Sequence, residues 1–423
     1  MKLTTLLGTV RYSRAYYWCE ACDGGWFPSD EEFELLRKLT PAVQQVVSMA
    51  GGLSAAFKEG SERVLHTLSG VLLSESTVLR TTEDIGQEID TAMSAGDPVA
   101  PQGEWEWHKD AEGRSCAYMS LDATGVRQQG PHGEKAEARM VWVVEVFNPV
   151  PQPPDEDSGD KPAAGESNTG QPDARQLQAD LLNAGESKTP STNPKPENSQ
   201  TTKSEAKPKT PQSQARYCAG LMDISEAGRR LRRLAETVHL EQAEVVIGLT
   251  DGGNGLADCL ETHCMSGLSA KRVLILDFYH LTEHLREFGR EWLKDEGERA
   301  AQVGQWCHTA KHAGGEALLK ELEALDLSGA SAAARESYRL LKNYVAGNLY
   351  RMDYPTYVKA GWQIGSGNIE SACKTVINHR LDGGGMRWRE YGTNAVSHIR
   401  ALICSEPAVW DSFWRNRPKH HAA

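Results

Sequence analysis

Apolar positions change their spacing several times along this chain, and each change predicts a different element. Residues 115–121 (SCAYMSL) alternate, the period of a strand. Residues 138–147 (ARMVWVVEVF) are β-branched and aromatic, and a polar, glycine-bearing connection joins the two runs as a hairpin. Residues 216–222 resume as a third strand. Residues 244–250 and 272–276 are short, continuous runs of Val, Ile and Leu, the pattern of strands buried on both faces. Helical spacing falls between them, over 225–238 and again over 255–264 (Leu256, Cys259, Leu260). Strand, helix, strand is the parallel crossover unit.

Three of these strands end in an aspartate: Asp122, Asp251 and Asp277. Ligands gather at the carboxyl ends of strands in open α/β sheets, so all three fall where chemistry is done. Three antiparallel strands followed by parallel crossovers is the order of a ribonuclease-H-like fold, whose first and fourth strands are neighbours. Asp122 and Asp251 are then expected to meet and offer oxygen ligands to divalent cations. Asp277 ends the outer strand, one strand further away.

Elsewhere the periodicity is helical. A Thr40-Pro41 start, residues 61–68, Gly70 and a Ser74-capped run to about Ile89 read as helix, turn, capped helix. That is the helix-turn-helix pattern or an ordinary helical hairpin. Four more helices are expected over 281–293, 298–312, 316–325 and 332–345, with Trp292, Trp306, Tyr338 and Tyr344 as core. His308 and His312 stand at i, i+4 with no third ligand at fixed spacing, and read as structural. Residues 149–214 are dense in Pro, Ser, Thr, Gln, Asn, Lys and Glu; this composition predicts a disordered insert interrupting the sheet.

Composition narrows the class. The 423 residues suffice for two or three domains and carry a net charge of -12, which argues against a surface that grips nucleic acid everywhere. The basic run Arg229, Arg230, Arg232 and Arg233 leaves room for a local basic face. Nine cysteines are scattered, as in a reducing cytosol. Only Cys19 and Cys22 form a CxxC pair, half of a zinc ribbon that needs four ligands. No stretch reads as a signal peptide or membrane span, so a soluble intracellular protein is expected.

A second informative stretch is GWQIGSGNIESACKTVINHRLDGGGMRW, from Gly361. Ser366 or Asn368 can cap the helix that follows. Glu370 lies in its first turn, where negative charge is favoured by the dipole, with Lys374 as an i+4 partner. Arg380 follows, then a triple glycine and Arg387-Trp388-Arg389. Arginines beside an exposed aromatic suit a phosphate backbone and unstacked bases. Lys374, Arg380, Arg387, Trp388 and Arg389 are therefore candidate DNA contacts.

Taken together, TDGGNGL, LDFYHLTEHL, GSGNIESACK and GMRWREYGTNAV, with RAYYWCEAC, FPSDEEFEL and GVLLSESTVLR at the front, resemble the Kra-type insertion-sequence transposases, relatives of the Mutator-like DDE group. The resemblance covers nearly the whole chain outside the insert. It implies a ribonuclease-H-like catalytic domain interrupted by an all-helical insertion, with Asp122, Asp251 and Glu370 as the catalytic triad. Asp277 and His280 match the family's Asp-x-x-His element beside the active site. Two-metal phosphoryl transfer with Mg2+ or Mn2+ about 4 Å apart is the implied chemistry, and DNA, bound by a homodimer or larger assembly, the implied partner. The expected location is the prokaryotic cytoplasm, at the nucleoid. The implied organisation is a partial zinc-ribbon knuckle (1–35), a helix-turn-helix-like region (36–103), the first half of the catalytic domain (104–148), the insert (149–214), the second half (215–285), the helical insertion (286–360) and the final catalytic helix with the C-terminal region (361–423). Family members usually carry another CxxC further upstream, so a truncated copy or a misassigned start is expected, and Cys19 and Cys22 are read as a pair of reduced thiols on a turn or as a partial zinc site, with less than one zinc per chain expected. Two alternatives stay open: a catalytically silent DNA-binding protein derived from a transposase, and a metal-dependent nuclease of the same fold.

Overall fold

Alternation over residues 115–126 buries six consecutive side chains, Cys116 to Leu121, because the strand they form is flanked on both sides and covered on both faces. That strand, β6 (Ser115–Val126), is the centre of a mixed sheet in an α/β fold. The computed structural model describes residues 1–97, 99, 105–149, 214–253 and 255–417. The expected disordered insert lies outside these residues except at its two ends.

Four short strands precede the sheet: β1 (Lys2–Thr5) with β2 (Gly8–Arg11), and β3 (Tyr17–Cys19) with β4 (Gly24–Trp26). The front end therefore consists of two hairpins, with Cys22 in the turn of the second. In the sheet, β5 (His108–Lys109) adds to β6, followed by β7 (Arg139–Asn148), β8 (Gln214–Gly220), β9 (Val245–Thr250) and β10 (Lys271–Leu276). The order is β10-β9-β6-β7-β8. β6–β7 and β7–β8 are antiparallel, while β6–β9 and β9–β10 are parallel. The expected neighbourhood of first and fourth strands is therefore present as the β6–β9 pair.

The helices that matter here are α1 (Pro41–Leu53), α2 (Glu75–Ala95), α3 (Ile224–Glu236), α4 (Phe278–Trp292), α5 (Glu296–Ala313), α6 (Gly315–Glu323), α7 (Ala332–Asn348), α8 (Gly367–Ala372) and α9 (Glu390–Cys404). Ser74 caps α2 as its sequence predicts, accepting from the Thr77 N–H, but the helix runs six residues past the expected end. One face of the sheet (Tyr118, Val143, Tyr217, Ile247, Ile275) packs on Phe288 of α4, Trp306 of α5 and Leu341 of α7, and on α8 through Ile369. Trp292 and Trp306 stack on Phe288, so these aromatics are core, as expected. The other face (Met119, Leu121, Val144, Val246) packs on Ile85 and Ile89 of α2, Leu231 of α3, and Ile399 and Leu402 of α9. Burying the branched side chains of both faces contributes on the order of 1.5–3 kcal/mol each before ordering entropy is subtracted.

α9 is buried nearly all round and carries Thr393, Ser397 and His398 into the interior. A polar network fixes α9 against α2 and α3. Asp90 of α2 lies 3.1 Å from His398 Nε2 and accepts from Arg230 of α3 at 3.0 Å and from Asn394 at 3.1 Å. Arg230 is therefore committed inside, while the neighbouring Arg229 and Arg233 pair with Glu226. The basic run is mostly neutralised within its own helix. Among the described residues no helix is long and apolar enough to cross a membrane.

Candidate active site

The register of the parallel strands sets the site. β6 and β9 pair as far as Ser120↔Leu249, and β9 and β10 as far as Thr250↔Leu276. Continuing each ladder places Asp122, Asp251 and Asp277 level across three adjacent strand positions, about 4.8 Å apart per step. Asp122 is not at the end of its strand, as its sequence suggests: β6 continues to Val126, paired with β7 alone. The residue stands instead where β9 stops, and that is why its side chain is only half-buried.

Each aspartate is held differently. Asp122 Oδ1 accepts from the Ala123 N–H at 2.6 Å, and Oδ2 receives only a long contact from the Cys373 thiol, 3.9 Å. Burial raises the Asp122 carboxyl above its ordinary value, and the negative charge of Asp251 raises it further, opposed by His280. Asp251 Oδ1 accepts from the Gly253 N–H at 2.8 Å, which curls the chain back after β9. Asp277 is 1% exposed; its Oδ1 caps α4 by accepting from the Tyr279 N–H at 2.7 Å, and its Oδ2 accepts from the Ser366 hydroxyl. Both Asp277 oxygens are taken up by these bonds. His280 lies 3.5 Å from Glu283 Oε2, and its charge is felt at Asp122.

Glu370 rises from α8, whose backbone continues through wider turns over Cys373–Asn378. Neither Ser366 nor Asn368 caps this helix: Ser366 is drawn to Asp277, and Asn368 accepts from Gln363 at 2.9 Å. The Glu370 carboxyl is raised by lost solvent around it, then by the charge of Asp277, with Asp122 adding to the same direction and Lys374 opposing it. Its tip is exposed. Asp122, Asp251, Asp277 and Glu370 thus share one field of negative charge.

Asp122 and Asp251 form an oxygen-rich pair, with Asp122 Oδ2 touched by no more than the long Cys373 thiol contact among the described residues, and such a pair suits a hard divalent cation such as Mg2+ or Mn2+. Among the described residues no group of three or more His, Cys, Asp or Glu side chains is close enough to hold a metal ion. The same applies to Cys19 and Cys22, where the Cys22 thiol lies 3.8 Å from the Cys19 carbonyl and two thiols provide half of a closed zinc site.

The candidate DNA contacts divide. Lys374, Arg387 and Arg389 are exposed. Arg380 and Trp388 are inside, contrary to the expectation of an exposed aromatic beside free arginines. Trp388 is 8% exposed; its indole donates to the Leu381 carbonyl, and its backbone pairs with Arg127 and Gln129. The Arg380 guanidinium lies 4.7 Å from the ring centres of both Phe57 and Trp388 and donates to the Gly51 and Ala55 carbonyls at the end of α1. Burial lowers its pKa to about 10.

Two residues near the site escaped the sequence reading. Glu145 of β7 shares a face with Ser120 and Asp122, is fully buried, and has neither carboxylate oxygen hydrogen-bonded. Burial holds its carboxyl well above the usual range. The visible signal was a lone charge in the apolar run MVWVVEVF. Tyr344 of α7, read as core, is half-buried and donates to the Asp251 carbonyl at 2.7 Å. No protein-family model and no curated protein sequence matches this chain.

Proposed function

We propose that this chain is a DNA transposase of the DDE type, built on a ribonuclease-H-like catalytic domain. The observation that carries the reading is the level placement of Asp122 and Asp251 on neighbouring parallel strands, with Glu370 on a helix beside the same sheet edge. The strand order β10-β9-β6-β7-β8 agrees with that fold, and so does the helical insertion between β10 and α8. The motif resemblance supplies the reaction class.

Asp122 and Asp251 would hold Mg2+ or Mn2+ through their carboxylates, with Glu370 closing the set. Such ions polarise the phosphodiester and stabilise the charge on attacking and leaving oxygens. The chemistry has two displacements. Water attacks a phosphorus at the element's end, breaking its bond to the 3′-oxygen and leaving a 3′-hydroxyl. That hydroxyl then attacks a target phosphorus, forming a new ester and expelling the target's own 3′-oxygen. Positioning and charge neutralisation carry the rate, so no nucleophilic side chain is called for. Asp277 is a buried strut in this reading. Arg387, Arg389 and Lys374 remain the candidates for the DNA backbone.

The test uses labelled duplexes from the DNA flanking the gene and a supercoiled target, with Mg2+ or Mn2+. Wild type is expected to cut the end and join it to the target, and Asp122→Asn, Asp251→Asn and Glu370→Gln to do neither while remaining folded. Cutting without joining would favour the nuclease. Retained DNA binding with no cutting by wild type would favour the silent DNA-binding protein.

A further inference from the structure

The turn that presents Asp251 is gripped from the helical insertion. β9 ends at Thr250, and the chain then passes through Gly252 with φ +92°. Gly253 closes the turn on the Asp251 side chain. From the far side of the fold's sequence, 93 positions away, Tyr344 donates its hydroxyl to the Asp251 carbonyl at 2.7 Å. The hydroxyl lies flush against the turn: a Cβ on Gly252 would come within 2.7 Å of it. Arg351, just beyond α7, is 3% exposed and donates to Thr250 Oγ1 at 2.6 Å, held in place by Asn348 at 2.8 Å. The Tyr344 ring also lies 4.3 Å from the centre of His284 on α4.

Two bonds from one arm thus bracket the residue that follows β9. A carboxylate on a free turn would sample many rotations about the 250–252 backbone. Fixing its carbonyl removes that freedom before a cation arrives, and preorganised ligands bind more tightly because less ordering remains to be done. We infer that Tyr344 is a positioning residue for Asp251, acting through the main-chain carbonyl, and that the end of the helical insertion serves to aim this carboxylate at Asp122. The inference rests on the metal-site reading above.

Binding of Mn2+, followed by electron paramagnetic resonance on the full chain, separates the two. Wild type is expected to bind Mn2+, and Asp251→Asn to lose most of that binding; equal binding by both would overturn the metal-site reading itself. Given that difference, Tyr344→Phe should weaken Mn2+ about fivefold, the scale of one neutral hydrogen bond. The Mg2+ concentration for half-maximal cleavage should rise by a similar factor, with excess metal restoring cleavage. Gly252→Ala, which pushes the same hydroxyl away from the other side, should shift Mn2+ affinity in the same direction. A Tyr344→Phe protein that unfolds more easily but binds Mn2+ as wild type does would overturn the positioning role and leave the metal site standing.

Discussion

Ser366 donates its hydroxyl to the carboxylate of Asp277, and this bond ties the loop leading into the Glu370 helix to the end of β10. Asp277 simultaneously caps α4. Both carboxylate oxygens are therefore in structural use, in a residue that is 1% exposed. Asp251, level with it on the next strand, is half-exposed, and among the described residues its side chain accepts only from the Gly253 N–H.

The two aspartates should part company on mutation. Asp277→Asn leaves a buried hydroxyl and a helix N-terminus poorly matched, a loss of about 1–3 kcal/mol. Some Mg2+-dependent cleavage should survive. Asp251→Asn removes a charge that repels Asp122, so its unfolding midpoint should match or exceed wild type while cleavage disappears. Urea titration beside a cleavage assay reads both. A well-folded Asp277→Asn as inactive as Asp122→Asn, with an active Asp251→Asn, would reverse the assignment.

The ends of the insert make a second prediction. Asn148 and Gln214 are register partners on adjacent antiparallel strands, and Asn148 Nδ2 donates to Gln214 Oε1 at 2.8 Å. The chain leaves and re-enters the sheet at one place. Replacing residues 150–212 by a short Asn-Gly-type turn satisfies the same geometry and shortens the loop to be closed. The thermal midpoint of this variant should be nearly that of wild type. A large fall would show that the removed residues pack on the sheet.

Arg380 and Arg387, both candidate DNA contacts on sequence, should behave as different kinds of residue. Arg380 fills a slot between Phe57 and Trp388, and Arg380→Ala should cost about 3 kcal/mol of stability, the scale for removing a large buried side chain. The double variant Arg387→Ala/Arg389→Ala alters exposed positions. It should unfold like wild type, bind DNA more weakly, and lower the salt dependence of binding by about two counterions. Unchanged affinity and salt slope would remove these two from the interface.

Much of this arrangement was legible from residue spacing. The period-two and continuous apolar runs marked the strands, and the aspartates following them marked the edge that carries the candidate site. What spacing does not carry is the identity of the neighbour. Asp122 looked like a strand end because alternation says nothing about where the adjacent strand stops. Trp388 looked exposed because its partner Phe57 lies near the opposite end of the chain. Tyr344 bonds a main-chain carbonyl, which no side-chain pattern records. Ser366 looked like a helix cap until a buried carboxylate nearby offered a stronger acceptor.

Glu145 supports the last prediction, through linkage. Its folded-state pKa lies above the unfolded value, the reverse of a salt-bridged carboxylate, because burial without any hydrogen-bond partner penalises the charged form. Below the ordinary carboxylate value, both states are protonated and the penalty is absent. As pH rises above that value the unfolded chain releases its proton first. Folding then requires proton uptake, and stability falls by about 1.4 kcal/mol per pH unit until the folded value is passed. Asp122 and Glu370 are shifted in the same direction, so wild type should lose stability progressively from about pH 4.5 upward on their account as well. Glu145→Gln removes one of these contributions without changing the side chain's shape. It exchanges the titration for a constant amide burial cost. Urea unfolding across this range should give a shallower slope for Glu145→Gln, so that the variant gains on wild type at each step towards neutral pH. Parallel curves with a fixed offset would show that Glu145 titrates at its ordinary value and that water reaches it beneath α8.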